Sequence, residues 1–382
     1  MKLHHLGLAA VPLGLAALAW WGAPEPAPLP STPAPAQAFP WATTAQVAAE
    51  RPSALAAETS AAETPQPAGP ALVDLCGLGR ITTTAGPGAA GVSALPDPVG
   101  REPLALARER MLAGLRSGSP SAQVAALLLQ RPDSEEPAAR QAWAQQMVQT
   151  ALASQHTGAL VWAEEACGHL PDGAACRMGL LRARLRLEPD NGLHWAALAD
   201  EDPDAADEAW RGLQQARHWT AQPQALLLAS QQALPADVPA YLRQSLGAEV
   251  ALRATALPQP GEGWLMARCA PAQARLDPGC QAVLQLLVAR SDATPALALG
   301  AQLARQLSEA QHPDWPSTRV QALHRELQAL ASPAAQWLPD AEQPLSCASV
   351  EGWQRHMAAL AQGGELAALR GQLATLAAGA PR

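Results

Sequence analysis

The spacing of six cysteines constrains the fold of this 382-residue chain more than any other feature of its sequence. An even number of cysteines behind an export signal is typical of disulfide bonds, which persist only in oxidising compartments. Six cysteines allow fifteen pairings, and the sequence alone does not choose among them. The short intervals favour a Cys167–Cys176 bond and a Cys269–Cys280 bond, each around a turn that contains Pro and Gly. The two remaining cysteines, Cys76 and Cys347, would then join the ends of one domain.

Zinc binding is the weaker interpretation of the same cysteines. The sequence has no Cys-x-x-Cys pair. His169 lies near Cys167 but has no second cluster of ligands to complete a tetrahedral site. We therefore predict no metal site and no cofactor.

The N-terminal residues 1–23 have the pattern of an export signal. After Lys2 and two histidines, residues 6–23 carry no charge, which is typical of a signal peptide or of a signal anchor. A small-x-small site at residues 17–19 favours cleavage. Trp20 and Trp21 favour an interfacial aromatic anchor instead. We prefer the uncleaved anchor, which places the chain in a bacterial inner membrane facing the periplasm; cleavage would make it periplasmic or secreted.

Residues 24–70 are predicted to be a disordered linker. This stretch contains eleven prolines, much Ala, Ser and Thr, and almost no large apolar residues. It cannot bury enough apolar surface to offset the entropy of an ordered chain. A spacer that lifts a domain away from a membrane and a neutral filler sequence both remain open as interpretations.

Residues 71–382 are predicted to form one disulfide-stabilised, all-α domain. Apolar residues recur at helical spacing in four stripes, and no run shows the alternation of a sheet. Thr294 before Pro295, and Ser317 after Pro316, are predicted helix caps. The stripes are Leu104, Ala107, Met111 and Leu115; Leu299, Leu303 and Leu307; Val320, Leu323, Leu327 and Leu330; and Leu366, Leu369, Leu373 and Leu376.

Residues 158–223 resemble a tetratricopeptide repeat. Pro223 falls 34 positions after Pro189, and 34 residues is the length of that repeat unit. The resemblance implies packing roles for Trp195, Leu198 and Ala199. The small residues of the second helix sit about two positions early. The family implies an irregular array of antiparallel helix hairpins, similar to an α-solenoid, whose concave face binds proteins.

Two compositional facts exclude several classes of function. The only lysine is Lys2, so P-loop proteins, protein kinases, pyridoxal-phosphate enzymes and serine β-lactamases are excluded, because each needs a lysine in its site. The net charge of −8, with acidic and basic residues intermixed, argues against a nucleic-acid partner.

One segment contains the best candidate for a binding site. Trp195, Arg217, His218 and Trp219 lie close together in sequence, and an aromatic, basic groove of this kind suits a peptide carboxylate. The alternative interpretation is that the tryptophans fill the core of a chain with one Phe and one Tyr. No catalytic motif is present, and we predict no catalytic residue.

These features predict a membrane-tethered, extracytoplasmic helical scaffold that binds another envelope protein and performs no catalysis. The alternative is an extracytoplasmic hydrolase or lyase on the same helical scaffold, with acid and base carboxylates that only folding brings together. A deep pocket with two or more convergent carboxylates or histidines would favour the enzyme. A shallow, open helical surface would favour the scaffold.

Overall fold

A computed structural model describes residues 72–82, 99–132, 136–222, 224–255, 262–274, 277–331, 343 and 345–379. These ranges contain fifteen α-helices and one β-hairpin, so the predicted all-α class is confirmed. The predicted apolar segment 6–23 and linker 24–70 lie outside these ranges. Within them, no helix is long and apolar enough to cross a membrane.

The chain begins with strands β1 (Leu72–Leu75) and β2 (Gly79–Thr82). The first helices are α1 (Arg101–Ser117), α2 (Pro120–Leu129), α3 (Pro137–Ser154), α4 (Thr157–Cys167), α5 (Gly173–Leu187), α6 (Gly192–Glu201), α7 (Ala206–Gln215) and α8 (Ala225–Ala233). A 3-10 turn, Pro203–Ala205, separates α6 from α7. The remaining helices are α9 (Ala240–Thr255), α10 (Glu262–Arg268), α11 (Pro271–Ala274), α12 (Gly279–Ala289), α13 (Thr294–Glu309), α14 (Ser317–Leu330) and α15 (Cys347–Gly379).

The hairpin corrects the prediction that the domain has no sheet. β1 and β2 pair in antiparallel register, with Leu72 opposite Thr82 and Leu75 opposite Gly79. Four-residue strands are too short to show the alternation by which a strand is recognised in a sequence. The turn depends on Gly77, whose φ of +90° is a conformation that other residues rarely adopt.

The four predicted stripes lie on helices α1, α13, α14 and α15, and most of their residues are buried. Leu376 is an exception, since the final turn of α15 leaves it exposed. Both predicted caps are wrong by one position. Ala293 and Pro316 are the residues before α13 and α14, and neither helix has a side-chain cap from its own first residues.

The helices bury two main apolar cores. The first core gathers α1 to α4 with α8, α9 and the hairpin. The second gathers α6 and α7 with α10, α12, α13 and α14. Helix α15 contributes to both cores, and Gly364 interrupts it at a φ of +76°. Trp353 lies before that break in the first core, and Leu366 lies after it in the second.

The six cysteines lie at bonding distance in the three pairs that their spacing favours. Cys167–Cys176 and Cys269–Cys280 have Cα–Cα distances of 5.6 and 5.7 Å. Cys76–Cys347 has a Cα–Cα distance of 4.4 Å and closes a sequence separation of 271 residues. The Cys76 amide also donates to the Leu345 carbonyl at 3.0 Å. The hairpin is therefore attached to the start of α15 by a covalent bond and by the backbone.

Candidate functional site

The four residues predicted to form an aromatic, basic groove have different surroundings in the structure. Trp195 is half-buried against Gly212 and donates its Nε1 hydrogen to the Pro189 carbonyl at 2.8 Å. Trp219 is 2 % exposed and belongs to the second core. His218 is half-buried and hydrogen-bonds Thr220, whereas Arg217 is exposed. Of the four, only Arg217 lines an open groove.

Residues 217–222, which we call the strap, run between two other segments and bond to both. The amide of Arg217 donates to the Asp190 carbonyl, and the amide of Gly192 donates to the His218 carbonyl, both at 2.8 Å. On the other side, the amide of Trp219 donates to the Arg290 carbonyl at 3.0 Å. The strap therefore fixes Arg217 beside the C-terminal end of α12.

The side-chain amide of Asn191 hydrogen-bonds the backbone of the strap. Asn191 is fully buried, and its Oδ1 accepts from the amides of Leu193 and Thr220 at 3.2 and 3.1 Å. Its Nδ2 donates to the Thr220 carbonyl and to Glu188, both at 2.9 Å. Every hydrogen-bonding position of Asn191 is thus used, so this side chain has a structural role and does not offer a free ligand.

The carboxylate of Glu188 accepts hydrogen bonds from several of the side chains around Asn191. It accepts from Thr157 Oγ1 at 2.5 Å and from Asn191 Nδ2, and it lies 3.1 Å from His194 Nε2. Burial opposes ionisation, but the bonds from His194, Thr157 and Asn191 outweigh it and lower the pKa of Glu188 to about 2. Burial also lowers the pKa of His194, which favours its neutral form as the donor to Glu188.

We expect the Glu188→Gln variant to lose up to about 3 kcal/mol of unfolding free energy at neutral pH. The folded pKa of about 2 lies below the ordinary value of 4.5. The contribution of ionised Glu188 to the free energy of unfolding is therefore fully present above about pH 4.5, and it disappears as the pH falls towards about 2. Urea unfolding curves of both proteins between pH 7 and 2 measure the difference. A gap that stays constant across this range would contradict the assignment.

Two further carboxylates, Asp292 and Glu365, are half-buried and accept hydrogen bonds from backbone amides. Asp292 accepts from the strap amides of Ala221 and Gln222 at 2.9 and 3.0 Å. Glu365 accepts from the amide of Thr294 at 3.0 Å and from its hydroxyl at 2.8 Å, and so caps α13 from a neighbouring helix. Burial raises the pKa of both carboxyls. Neither lines one of the two grooves described next.

The larger groove, which we call the arginine groove, has a volume of about 550 Å³ and opens to solvent. Its lining comes from the end of α7, from the exposed side of α12 and from the start of α14. Three arginines contribute, namely Arg217 from the strap, Arg290 after α12 and Arg319 in the first turn of α14. The other lining residues are Gln214, Ala216, Ala282, Gln285, Leu286, Val288, Ala289 and Trp315.

The three arginines of the groove have no direct ion-pair partner among the described residues. Arg217, Arg290 and Arg319 are exposed and form no ion pair with any carboxylate that the structure describes. The Asp190 carboxylate lies 3.4 Å from His218 Nε2, and that of Asp314 accepts from Gln281. These two carboxylates contact other side chains and form no ion pair with the groove arginines.

Trp315 orients one of the three guanidinium groups. Its ring is almost fully buried and lies 3.9 Å from the Arg319 guanidinium carbon, a cation–π contact. Arg319 also donates to the Asp314 carbonyl at 2.8 Å, and Arg290 donates to the Arg217 carbonyl at 3.3 Å. Each of these arginines uses one donor on the protein, so donors remain for a bound group.

A second groove of about 430 Å³ lies between α1, α2, α4 and α8. Its lining consists mainly of small residues and contains no carboxylate and no arginine. His156 accepts the Ala159 amide through Nδ1, so one ring nitrogen caps α4. This groove offers less chemical specificity than the arginine groove.

Sequence reasoning did not identify Arg290, Arg319 or Trp315 as neighbours of Arg217. The three arginines span 102 positions of the chain, so no local spacing signals their convergence. Comparison with protein-family models, with curated proteins and with solved structures finds no match.

Proposed function

We propose that this chain is an extracytoplasmic binding protein that recognises another envelope protein through the arginine groove and performs no catalysis. Residues 6–23, if uncleaved, hold it in the bacterial inner membrane with its helical domain facing the periplasm. The observation that carries the proposal is the open groove, lined by three exposed arginines without carboxylate partners among the described residues. The three cysteine pairs at bonding distance support an oxidising compartment.

The groove linings favour this proposal over the hydrolase or lyase alternative. General acid–base chemistry needs titratable groups that converge on bound substrate. The described lining of the arginine groove contains no carboxylate and no histidine, and that of the second groove contains only His156. Arginine and glutamine suit recognition of a polar partner, since arginine is enriched at binding hot spots.

A helix-hairpin scaffold is part of the same proposal. Helices that follow one another in the chain pack as neighbours, as α2 to α5 do, and as α12 to α14 do. Stacked hairpins of this kind present extended surfaces to a partner, which is how tetratricopeptide repeats are used. The proposed role requires only that the groove lies on one such surface.

Photo-cross-linking in cells tests the proposed function. We expect a photo-reactive amino acid at exposed Ala289, inside the groove, to capture a specific envelope protein. The same group at exposed Arg186, on α5 and outside the groove lining, is the matched control. Equal capture from both positions would contradict the assignment of the groove. A chain found in the cytosol with its thiols free would contradict the extracytoplasmic location.

A further inference from the structure

We propose that the occupant of the arginine groove is a carboxylate-rich peptide segment of the partner, rich in Asp or Glu. This inference rests on the proposed function and specifies the chemistry that the groove recognises. Guanidinium groups bind carboxylates through short, charge-assisted hydrogen bonds, often with two parallel bonds. Three such groups around one groove select a segment with several carboxylates.

The clustering of the groove arginines supports this assignment. Arg108, Arg110, Arg131, Arg177 and Arg253 each lie within 2.9 Å of a carboxylate of the chain. The groove arginines have no such partner in the described part of the chain, and the fold brings all three of them to one groove. A cluster of unpaired guanidinium groups on one surface attracts a segment of opposite charge.

The groove fits a peptide better than a single small anion. Its volume of about 550 Å³ exceeds the space of one carboxylate or phosphate, and its arginines come from three separate elements. Along α12, Ala282, Gln285 and Ala289 occupy one exposed stripe at helical spacing. The two alanines allow a peptide backbone to approach closely, and the Gln285 amide supplies a donor and an acceptor for it.

A second copy of this chain is the rival occupant. Its most acidic stretch, residues 200–208, contains six Asp or Glu residues in nine positions. Two of them are already engaged, however. Glu201 pairs with Arg177 at 2.9 Å, and Asp202 accepts the Asp204 amide at 3.2 Å. We therefore assign the groove to a partner whose carboxylates are free.

Binding of short poly-glutamate to the full chain in detergent micelles tests the inference, with poly-glutamine as the uncharged probe. We expect poly-glutamate alone to bind, and its affinity to fall with added salt. Arg217→Gln, Arg290→Gln and Arg319→Gln should each weaken binding about fivefold, and the triple variant should weaken it roughly a hundredfold. The charge-matched control is the triple variant Arg182→Gln, Arg186→Gln and Arg325→Gln. These three exposed arginines do not line the groove.

Each outcome decides a different point. Equal loss in the groove and control triples would overturn the inference, because general charge would then explain binding. Absence of poly-glutamate binding, with capture from Ala289 retained, would overturn the inference and leave the proposed function standing. If neither poly-glutamate binding nor capture from Ala289 is found, both the inference and the proposed function are wrong. A dimer captured from Ala289 and lost in the groove triple would assign the groove to a second copy. Thermal unfolding of both triples establishes that they remain folded.

Discussion

Replacement of Glu164 by leucine is expected to lower the free energy of unfolding by about 3 to 5 kcal/mol, because it leaves the Arg184 guanidinium buried without a counter-charge. Arg184 Nη2 contacts Glu164 Oε1, and the two side chains are 2 % and 13 % exposed. Burial raises the pKa of Glu164 and lowers that of Arg184, so each charge depends on the other. Urea unfolding at neutral pH measures the loss.

Two control variants separate the buried pair from ion pairs in general. The double variant Glu164→Leu with Arg184→Met removes both charges and keeps similar volume, so we expect it to be close to the parent in stability. Arg110→Gln breaks the pair with Asp237, whose side chain is 70 % exposed, and should leave the urea unfolding midpoint nearly unchanged. A single Glu164→Leu variant as stable as the double variant would contradict the prediction.

Removal of the Cys76–Cys347 bond is expected to cost about 5 to 6 kcal/mol in the chain-entropy account of disulfides. The bond closes a separation of 271 residues, so its absence releases the unfolded chain from a very long loop. The Cys76→Ser/Cys347→Ser variant should therefore unfold at a much lower urea concentration. The matched control, Cys167→Ser/Cys176→Ser, opens a separation of only 9 residues and should cost about 3 kcal/mol.

The order of these two disulfide effects is the informative result. A larger loss from opening Cys167–Cys176 than from opening Cys76–Cys347 would show that local packing decides stability here, since Cys167 is fully buried. Thiol titration of the denatured, unreduced parent should find no free sulfhydryl. Unfolding of the parent in the presence of reductant should resemble that of a chain without any of the three bonds.

Local patterns in the sequence predicted several of the helices and favoured the cysteine pairs that the structure brings together. Leu299, Leu303 and Leu307 point to one face because helical geometry alone sets their spacing. Cys167 and Cys176 flank a turn containing Pro171 and Gly173, so proximity along the chain predicts their bond. The hairpin was missed because its strands have four residues each. The cap of α13 was misplaced because Glu365, which is distant in sequence, accepts from the first residue of that helix.

The candidate site was predictable only in part. Arg217 was identified from its aromatic neighbours, but Trp219 faces the core because the strap turns it inward between two backbone segments. The convergence of Arg217 with Arg290 and Arg319 depends on how α7, α12 and α14 pack. Tertiary packing of this kind leaves no trace in residue spacing, and neither does the pairing of Glu164 with Arg184 across two helices.

The covalent link between Cys76 and α15 also determines how the domain responds to mechanical load. If residues 6–23 hold the chain in a membrane and a partner pulls on the groove, tension enters the domain beside its disulfide. Arg217, Arg290 and Arg319 all lie within the 271-residue loop that this bond closes. A pull on the groove therefore reaches the membrane side along both arms of the loop, one through the hairpin and one through the start of α15. Each arm carries only part of the tension.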